Sequence, residues 1–329
     1  MKNKRILITG ACGTVGNNLT LSLLKQGATV CLFDTNEKEM FKLDQRLKSI
    51  SSKYKCFIGD IRDSKRLIKA FNGVTGVFHC AGLKHVYLSE YNPFEAVKTN
   101  IIGTHNVIEA ALSCDVEKVI FTSSDKAVNP VSTMGATKLL SERLFIQANQ
   151  SSGKNCTRFT CIRFGNIINS SGSMLRLFRD QFLNENEITL TSDQMTRFII
   201  DIKTSIELCL FAYENSIGGE IISRNMGSCY VKDIIDVINS DSKCKVTTIG
   251  PKPGEKLFEE LVTESEVSRT KILKEYFITI PETLDYFPLE LKESYKIYSQ
   301  LPDLESPVNS ANTNLDIESL KSIIETAII

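Results

Sequence analysis

The residues best equipped for chemistry are gathered in one stretch, Ser123 to Lys138, which reads SSDKAVNPVSTMGATK. Two serines, an aspartate and a lysine stand in a row. Met134 and Lys138 follow four residues apart, on one face of a helix that opens after Pro130. A carboxylate beside an amine puts a proton acceptor next to a proton donor, and a serine hydroxyl can polarise another hydroxyl. The stretch begins where the apolar run Val116 to Thr122 stops. These groups therefore meet at the carboxyl end of a buried strand, where ligands bind in open α/β sheets. Taken singly, Ser124 or Asp125 also suits an N-cap, and Lys138 a solvated helix lysine. The string as a whole is harder to explain that way.

The elements that must position this stretch alternate along the chain. Arg5 to Thr9 is a short apolar run, followed by the turn Gly10-Ala11-Cys12-Gly13-Thr14-Val15-Gly16 and a helical pattern over Asn17 to Gln26. The glycines allow a tight turn and close backbone approach, so amides at a helix start can hold a pyrophosphate. A second strand, Thr29 to Phe33, ends at Asp34, 24 residues past Gly10. An acidic group at that spacing would bond the adenosine ribose hydroxyls and favour NAD over NADP; alternatively, Asp34 only caps the helix Asn36 to Ile50. The strand Tyr54 to Ile58 leads to Asp60 and Ile61, placed to meet the adenine, with Asp63 as a helix cap. The strand Val74 to Cys80 leads to Cys80, Ala81 and Gly82, small residues that let backbone lie along the cofactor. Lys84 and His85 then fall on a loop at the same sheet end, and Asn92-Pro93 opens the helix that carries Asn100. These three are candidates for the nicotinamide and sugar region; a solvated loop also accounts for Lys84 and His85.

Strand and helix units repeat up to Phe159 to Arg163, which predicts an α/β fold with a doubly wound parallel sheet of Rossmann type. Past Asn166 the rhythm changes. The expected division is a dinucleotide-binding domain of 1–166 plus about 200–226, and a smaller mixed substrate domain of about 167–199 plus 227–329. Leu301 to Asn314 reads as a loose linker to a last helix, Asp316 to Ile328. Lys+Arg and Asp+Glu number 39 each, so no global field would recruit nucleic acid or an anionic membrane, and a polyanionic ligand must be held locally. Ten cysteines without a CxxC and only three histidines argue for reduced thiols in a cytoplasmic protein over a disulfide framework or a metal site. The N-terminus lacks the apolar stretch of a signal peptide, and no segment is long and apolar enough to span a bilayer.

With GxxGxxG at Gly10 to Gly16 and Lys138 four residues after the position usually held by tyrosine, the chain resembles the extended short-chain dehydrogenases/reductases. More narrowly, it is similar to the nucleotide-sugar 4,6-dehydratases that act on UDP-N-acetylglucosamine. Leu83 to Val86, Tyr91 to Phe94, Thr99-Asn100, Ser123 to Pro130, Met134 to Lys138, Arg163 to Asn166, Met195 to Phe198 and Lys252 to Lys256 carry the likeness, over roughly residues 4–280. Met134 departs from the superfamily's tyrosine, but methionine is familiar there in dehydratases, including soluble enzymes of the legionaminic-acid pathway type acting on UDP- or GDP-linked N-acetylglucosamine. By analogy, that methionine leans towards retention of configuration at C5. Ser173 stands where relatives often carry arginine.

The resemblance implies a three-step reaction in which hydride leaves C4 of the sugar for the nicotinamide, water is eliminated across C5 and C6, and the hydride returns to C6. Asp125 is expected to take the C4 hydroxyl proton and pass it to the departing C6 oxygen, replacing the missing phenol. Lys126 is expected to abstract the C5 proton, which needs a neutral amine and so a lowered pKa. Lys138 would bind the nicotinamide ribose, and Ser124 would polarise the C4 hydroxyl. Ser123 and Arg163 join the cofactor contacts; Asn166 and Ser173 join Lys84 and His85 on the substrate side. Arg197 is expected to clamp the diphosphate, and Glu255 and Lys256 to lie near the nucleoside, unless these three form structural ion pairs. A homo-oligomer is expected by the same likeness. A nucleotide-sugar 4-epimerase, or a dinucleotide-binding sensor without catalysis, are the rival readings.

Overall fold

Apolar side chains along Arg5–Thr9 (β1) send Ile6 and Ile8 into one hydrophobic core and Leu7 into another, as a strand buried on both faces requires. The computed structural model describes residues 1–150, 157–185, 187–241, 243–312 and 314–328. Thr29–Asp34 (β2), Tyr54–Ile58 (β3), Gly76–His79 (β4), Lys118–Ser124 (β5) and Arg158–Phe164 (β6) complete a parallel set in the order β3-β2-β1-β4-β5-β6. Ile221–Arg224 adds to β6 in parallel, and Tyr276–Thr279 and Thr270–Leu273 close that edge antiparallel. The fold is the expected doubly wound sheet, with strand order reversing between β1 and β4. Its edge differs from the expected domain division: both closing strands lie within 227–329, yet they extend the main sheet.

A smaller layer packs beyond the carboxyl ends. Asn166–Ile167, Thr196–Ile200 and Gly227–Tyr230 form a three-stranded sheet, and a third core joins Leu175, Phe178, Ile188 and Ile234 to Leu320 and Ile324 of the last helix, Ile317–Ile328. The stretch read as a loose linker is pinned instead. Val308–Asn309 pairs with Glu260–Val262, and buried Ser310 exchanges bonds with Glu259, its amide donating to the Glu259 carbonyl and its Oγ accepting from the Glu259 amide; Thr313 of that stretch lies outside the described residues. No described helix is long and apolar enough to cross a membrane.

Local signals set the ends that matter. Helix α1 spans Thr14–Lys25, three residues ahead of the expected start, because Gly13 already serves as its extended N-cap. β5 runs two residues further than expected, to Ser124, so Asp125 begins a single tight turn, Asp125–Ala127. The helix Thr133–Ala148 then starts at Ser132, whose Oγ accepts the Gly135 amide, and Glu90 accepts the Thr133 amide.

Arg163 is the clearest correction. It points away from the expected cofactor site, 2% exposed, and its guanidinium donates to both oxygens of Glu142 and both of Glu266. Its role is to tie β6 to the helix Thr133–Ala148 and to the short helix Glu264–Val267. Burial alone would push the Glu266 carboxyl up, but the Arg163 charge and hydrogen bonds hold it below the usual range. A carboxyl with a lowered folded pKa stabilises above its unfolded value, and that contribution is lost as pH falls through the folded one. Arg163→Met strands two buried carboxylates and is expected to cost about 3–5 kcal/mol in urea unfolding. Unchanged stability in Arg163→Met would overturn this structural role.

Candidate active site

A cavity of about 1000 Å³ runs along the carboxyl ends of the parallel strands. Its floor at one end is the glycine turn. Gly10 has φ +70°, and a Cβ there would sit 2.7 Å from the Ala81 nitrogen; at Gly16 it would sit 2.4 Å from the Gly10 carbonyl oxygen. Side chains are excluded, which leaves backbone facing the cavity beside Cys12, Gly13, Thr14 and Val15. Asp34 lines the same end, its Oδ2 accepting the Cys12 amide at 2.9 Å and its Oδ1 the Asn36 amide at 3.0 Å. The next helix, Glu37–Lys48, is capped by Asn36, not by Asp34. Asp60 and Ile61 line the cavity, together with Arg62, which the sequence reading left unassigned and which bridges Asp60 and Glu95. Burial pushes the Cys12 and Cys80 thiols up to about 12, so neither is a thiolate at neutral pH.

At the other end, Cys80, Ala81, Gly82, Lys84, His85, Ser123, Ser124, Lys126, Met134, Lys138, Asn166 and Ser173 all reach the cavity wall. The Ser170 to Ser173 loop lies over the glycine turn, its Ser171 amide donating to Thr14 Oγ1 and its Ser171 carbonyl accepting from Lys84. Gly172 (φ +67°) packs on His85, where a Cβ would meet Cε1 at 2.4 Å. Burial and the neighbouring cations lower the pKa of both Lys84 and His85. The Ser123 and Ser173 hydroxyls are buried without a protein partner.

Asp125 departs from expectation. It is fully buried and does not form part of the cavity wall; its Oδ1 accepts from Ser124 Oγ at 2.8 Å and from Lys126 Nζ at 2.9 Å, while Oδ2 has no partner. The carboxylate stands one hydrogen bond behind the surface. Lys126 also donates to Asn166 Oδ1 at 3.3 Å and lies 3.7 Å from Glu259 Oε1. Burial would lower its pKa, but Asp125 and then Glu259 outweigh that and hold it above the ordinary lysine value, against the lowered value expected. Lys138, 6% exposed, donates to the Thr122 carbonyl and sits 4.6 Å from the Phe121 ring centre; burial lowers it to about 8. Beneath it, His79 is buried between Thr9 and Thr104 and lowered by burial to about 3, so it stays neutral.

Four other expected contacts are used elsewhere. Asn100 is buried and spends its amide on the Leu83 backbone and Thr137 Oγ1, fixing the loop rather than facing the cavity. Arg197 is 6% exposed and donates to the Thr196 and Leu257 carbonyls. Glu255 accepts the Lys252 amide within its own turn, and Lys256 donates to the Val128 carbonyl and pairs with Glu259 at 2.9 Å. That turn braces the Asp125 to Ser132 segment instead of touching the cavity: a Cβ on Gly254 would lie 2.9 Å from the Ser132 side chain. Among the described residues no three potential metal ligands come together.

Residues 6–281 match the polysaccharide biosynthesis protein family. The chain belongs to that family. Among relatives, a Methanocaldococcus jannaschii protein named only as an uncharacterised membrane protein is 47% identical over 86% of this chain and 88% of its own. A Campylobacter jejuni UDP-N-acetylglucosamine 4,6-dehydratase (inverting) is 36% identical over 84% and 83%; its name gives the C5 outcome opposite to the one Met134 suggests. A Rickettsia massiliae UDP-glucose 4-epimerase is 33% identical over 98% and 96%. Among solved structures, Pen from Bacillus thuringiensis superposes with a TM-score of 0.91 at 34% identity over 99% and 98% of the chains. A Streptomyces venezuelae dTDP-glucose 4,6-dehydratase with NAD bound shares the fold at 0.70 and 19% identity, over 77% and 86%.

The environment of Lys138 makes a prediction for this family member. Its folded pKa of about 8 lies below the ordinary 10.5, so the cost of burying the ammonium is fully present below pH 8 and fades as pH rises through that interval. Lys138→Met is expected to raise stability at pH 7 by about 1–3 kcal/mol and to flatten its pH dependence above 8, in urea titrations. Equal or lower stability would show that Lys138 is not held at a cost.

Proposed function

We propose that the protein is a nucleotide-sugar 4,6-dehydratase acting on UDP-N-acetylglucosamine or its GDP-linked counterpart, in surface-glycan biosynthesis, with NAD as a recycled cofactor. One observation carries this reading. Met134 lines the cavity where a phenol would serve, and Ser124 and Lys126 line the same cavity, each bonded to the buried Asp125, with Lys138 left to the nicotinamide ribose. A thioether neither gives nor takes a proton, so the acid and base work falls to Ser124, Asp125 and Lys126.

The glycine cradle leaves room for a pyrophosphate, and Asp34 offers a carboxylate suited to ribose hydroxyls and ill suited to the extra phosphate of NADP. The dinucleotide supplies a hydride acceptor that can return what it receives. Ser124 Oγ polarises the C4 hydroxyl and hands its proton to Asp125 Oδ1; Asp125 therefore acts through Ser124, not by touching the sugar. The neutral Asp125 returns that proton by the same route to the departing C6 oxygen. Lys126 takes the C5 proton once it has shed its own, and because two carboxylates hold it charged, elimination should speed up as pH rises. With Arg197 enclosed, we assign a substrate phosphate to Lys84, which lines the cavity beside His85.

The near-complete coverage by relatives named 4-epimerases favours a second reading, without loss of water. Mass spectrometry of the nucleotide sugar after incubation with enzyme and NAD separates the two. Loss of one water supports the dehydratase, an unchanged mass with a new sugar supports the epimerase, and no product overturns both. In single turnover, Ser124→Ala and Asp125→Asn are expected to slow the rise in NADH absorbance by about 10²–10⁴-fold. Parent-like absorbance in either variant would contradict the relay.

A further inference from the structure

Glu259 lies outside every motif that gave Lys126 its expected role, yet it is the second carboxylate on that lysine. Its side chain is 3% exposed, with Oε1 3.7 Å from Lys126 Nζ and Oε2 2.9 Å from Lys256 Nζ. It cannot move freely, because its amide donates to Ser310 Oγ and its carbonyl accepts the Ser310 amide. The charges run in one string, Asp125, Lys126, Glu259, Lys256, in which the two carboxylates are buried and the two lysines partly open, with Asp125 at the end nearest Ser124. Lys126 thus has a carboxylate on each side, and the remaining charge facing it is Arg197.

From this geometry we infer that Glu259 is a positioning residue: it holds the Lys126 ammonium beside the cavity and sets how tightly that lysine keeps its proton, with Lys256 as its own counter-charge. The inference deepens the dehydratase reading and rests on it for its catalytic meaning. A buried carboxylate without a cation is costly, and Lys256 supplies one 2.9 Å from Glu259 Oε2. An ionised group a few ångströms from Lys126 opposes loss of its proton, and removing that charge eases it. Asp125 alone would leave Lys126 with one fixed partner; Glu259 fixes the second direction.

A brace with no electrostatic effect is the competing account, since Lys256 also bonds the Val128 carbonyl and Glu260 accepts from Asn129. The two are separated by titrating Lys126 directly, by carbon NMR of lysine-labelled full-length protein, with the Lys126 signal assigned by its absence in Lys126→Arg. Glu259→Gln is expected to lower the Lys126 midpoint by at least one pH unit, about a tenfold loss of proton affinity. Glu259→Asp should keep most of the parent value, and Glu260→Gln, which touches only the brace, should leave it unmoved. With substrate present, the pH at which deuterium from solvent enters C5 should move to lower pH in Glu259→Gln. A parent-like Lys126 midpoint in Glu259→Gln, or an equal shift in Glu260→Gln, overturns the inference. Failure of the dehydratase reading is a separate observation, namely no loss of water from any nucleotide-linked N-acetylglucosamine by the parent enzyme.

Discussion

A carboxylate taken fully out of water must have a cation beside it, and the carboxyl end of β5 is arranged around that constraint. Asp125 is enclosed, so Lys126 cannot leave it; Lys126 is partly open, so one face of the pair still meets the cavity. Glu259 and Lys256 extend the string into the segment before Glu260–Val262, and the bonds at Ser310 hold that segment in turn. Residues more than a hundred positions apart thereby fix one lysine at one strand end.

Arg163 and Arg197 show what separates a structural cation from an available one. Both sit in short stretches on which the sequence resemblance rests, and each has its guanidinium enclosed by protein acceptors. Arg163 meets two carboxylates, which anchors the helix that also carries Met134 and Lys138. Lys138 has only a carbonyl and a ring face, and its ammonium is correspondingly weakened. Glu142, one turn beyond Lys138 on the same helix, is held by Arg163.

The parts of the site that were legible in the sequence are those whose reason is local. The glycine turn, the spacing of Asp34, the Cys80 to Gly82 stretch and the Ser123 to Lys138 string are each set by a few neighbouring residues, and their Gly10, Gly13, Gly16, Asp34, Ser123, Ser124, Lys126, Met134 and Lys138 reach the cavity whereas Asp125 does not. Asn100, Arg163, Arg197 and Lys256 read differently in the structure because their partners are distant: Leu83, Glu142, Glu266, Leu257 and Val128. No spacing rule links such pairs. Glu259 is hidden for the same reason, since a glutamate beside a second glutamate reads as solvated surface until Ser310 and the two lysines close over it. The fold itself, a repeat of strand and helix with period changes at each turn, was the most legible feature, and its antiparallel edge and the pinning of Val308–Asn309 against Glu260–Val262 lay beyond the pattern.

The central claim is that hydride taken from C4 of the sugar ends on C6 of the same molecule while water departs. The most direct measurement follows the label in UDP-N-acetylglucosamine deuterated at C4, with the product read by NMR. The account predicts deuterium on the C6 methyl group of a 4-keto product, with no net reduction of NAD. Deuterium found again at C4 of a sugar of unchanged mass would contradict it.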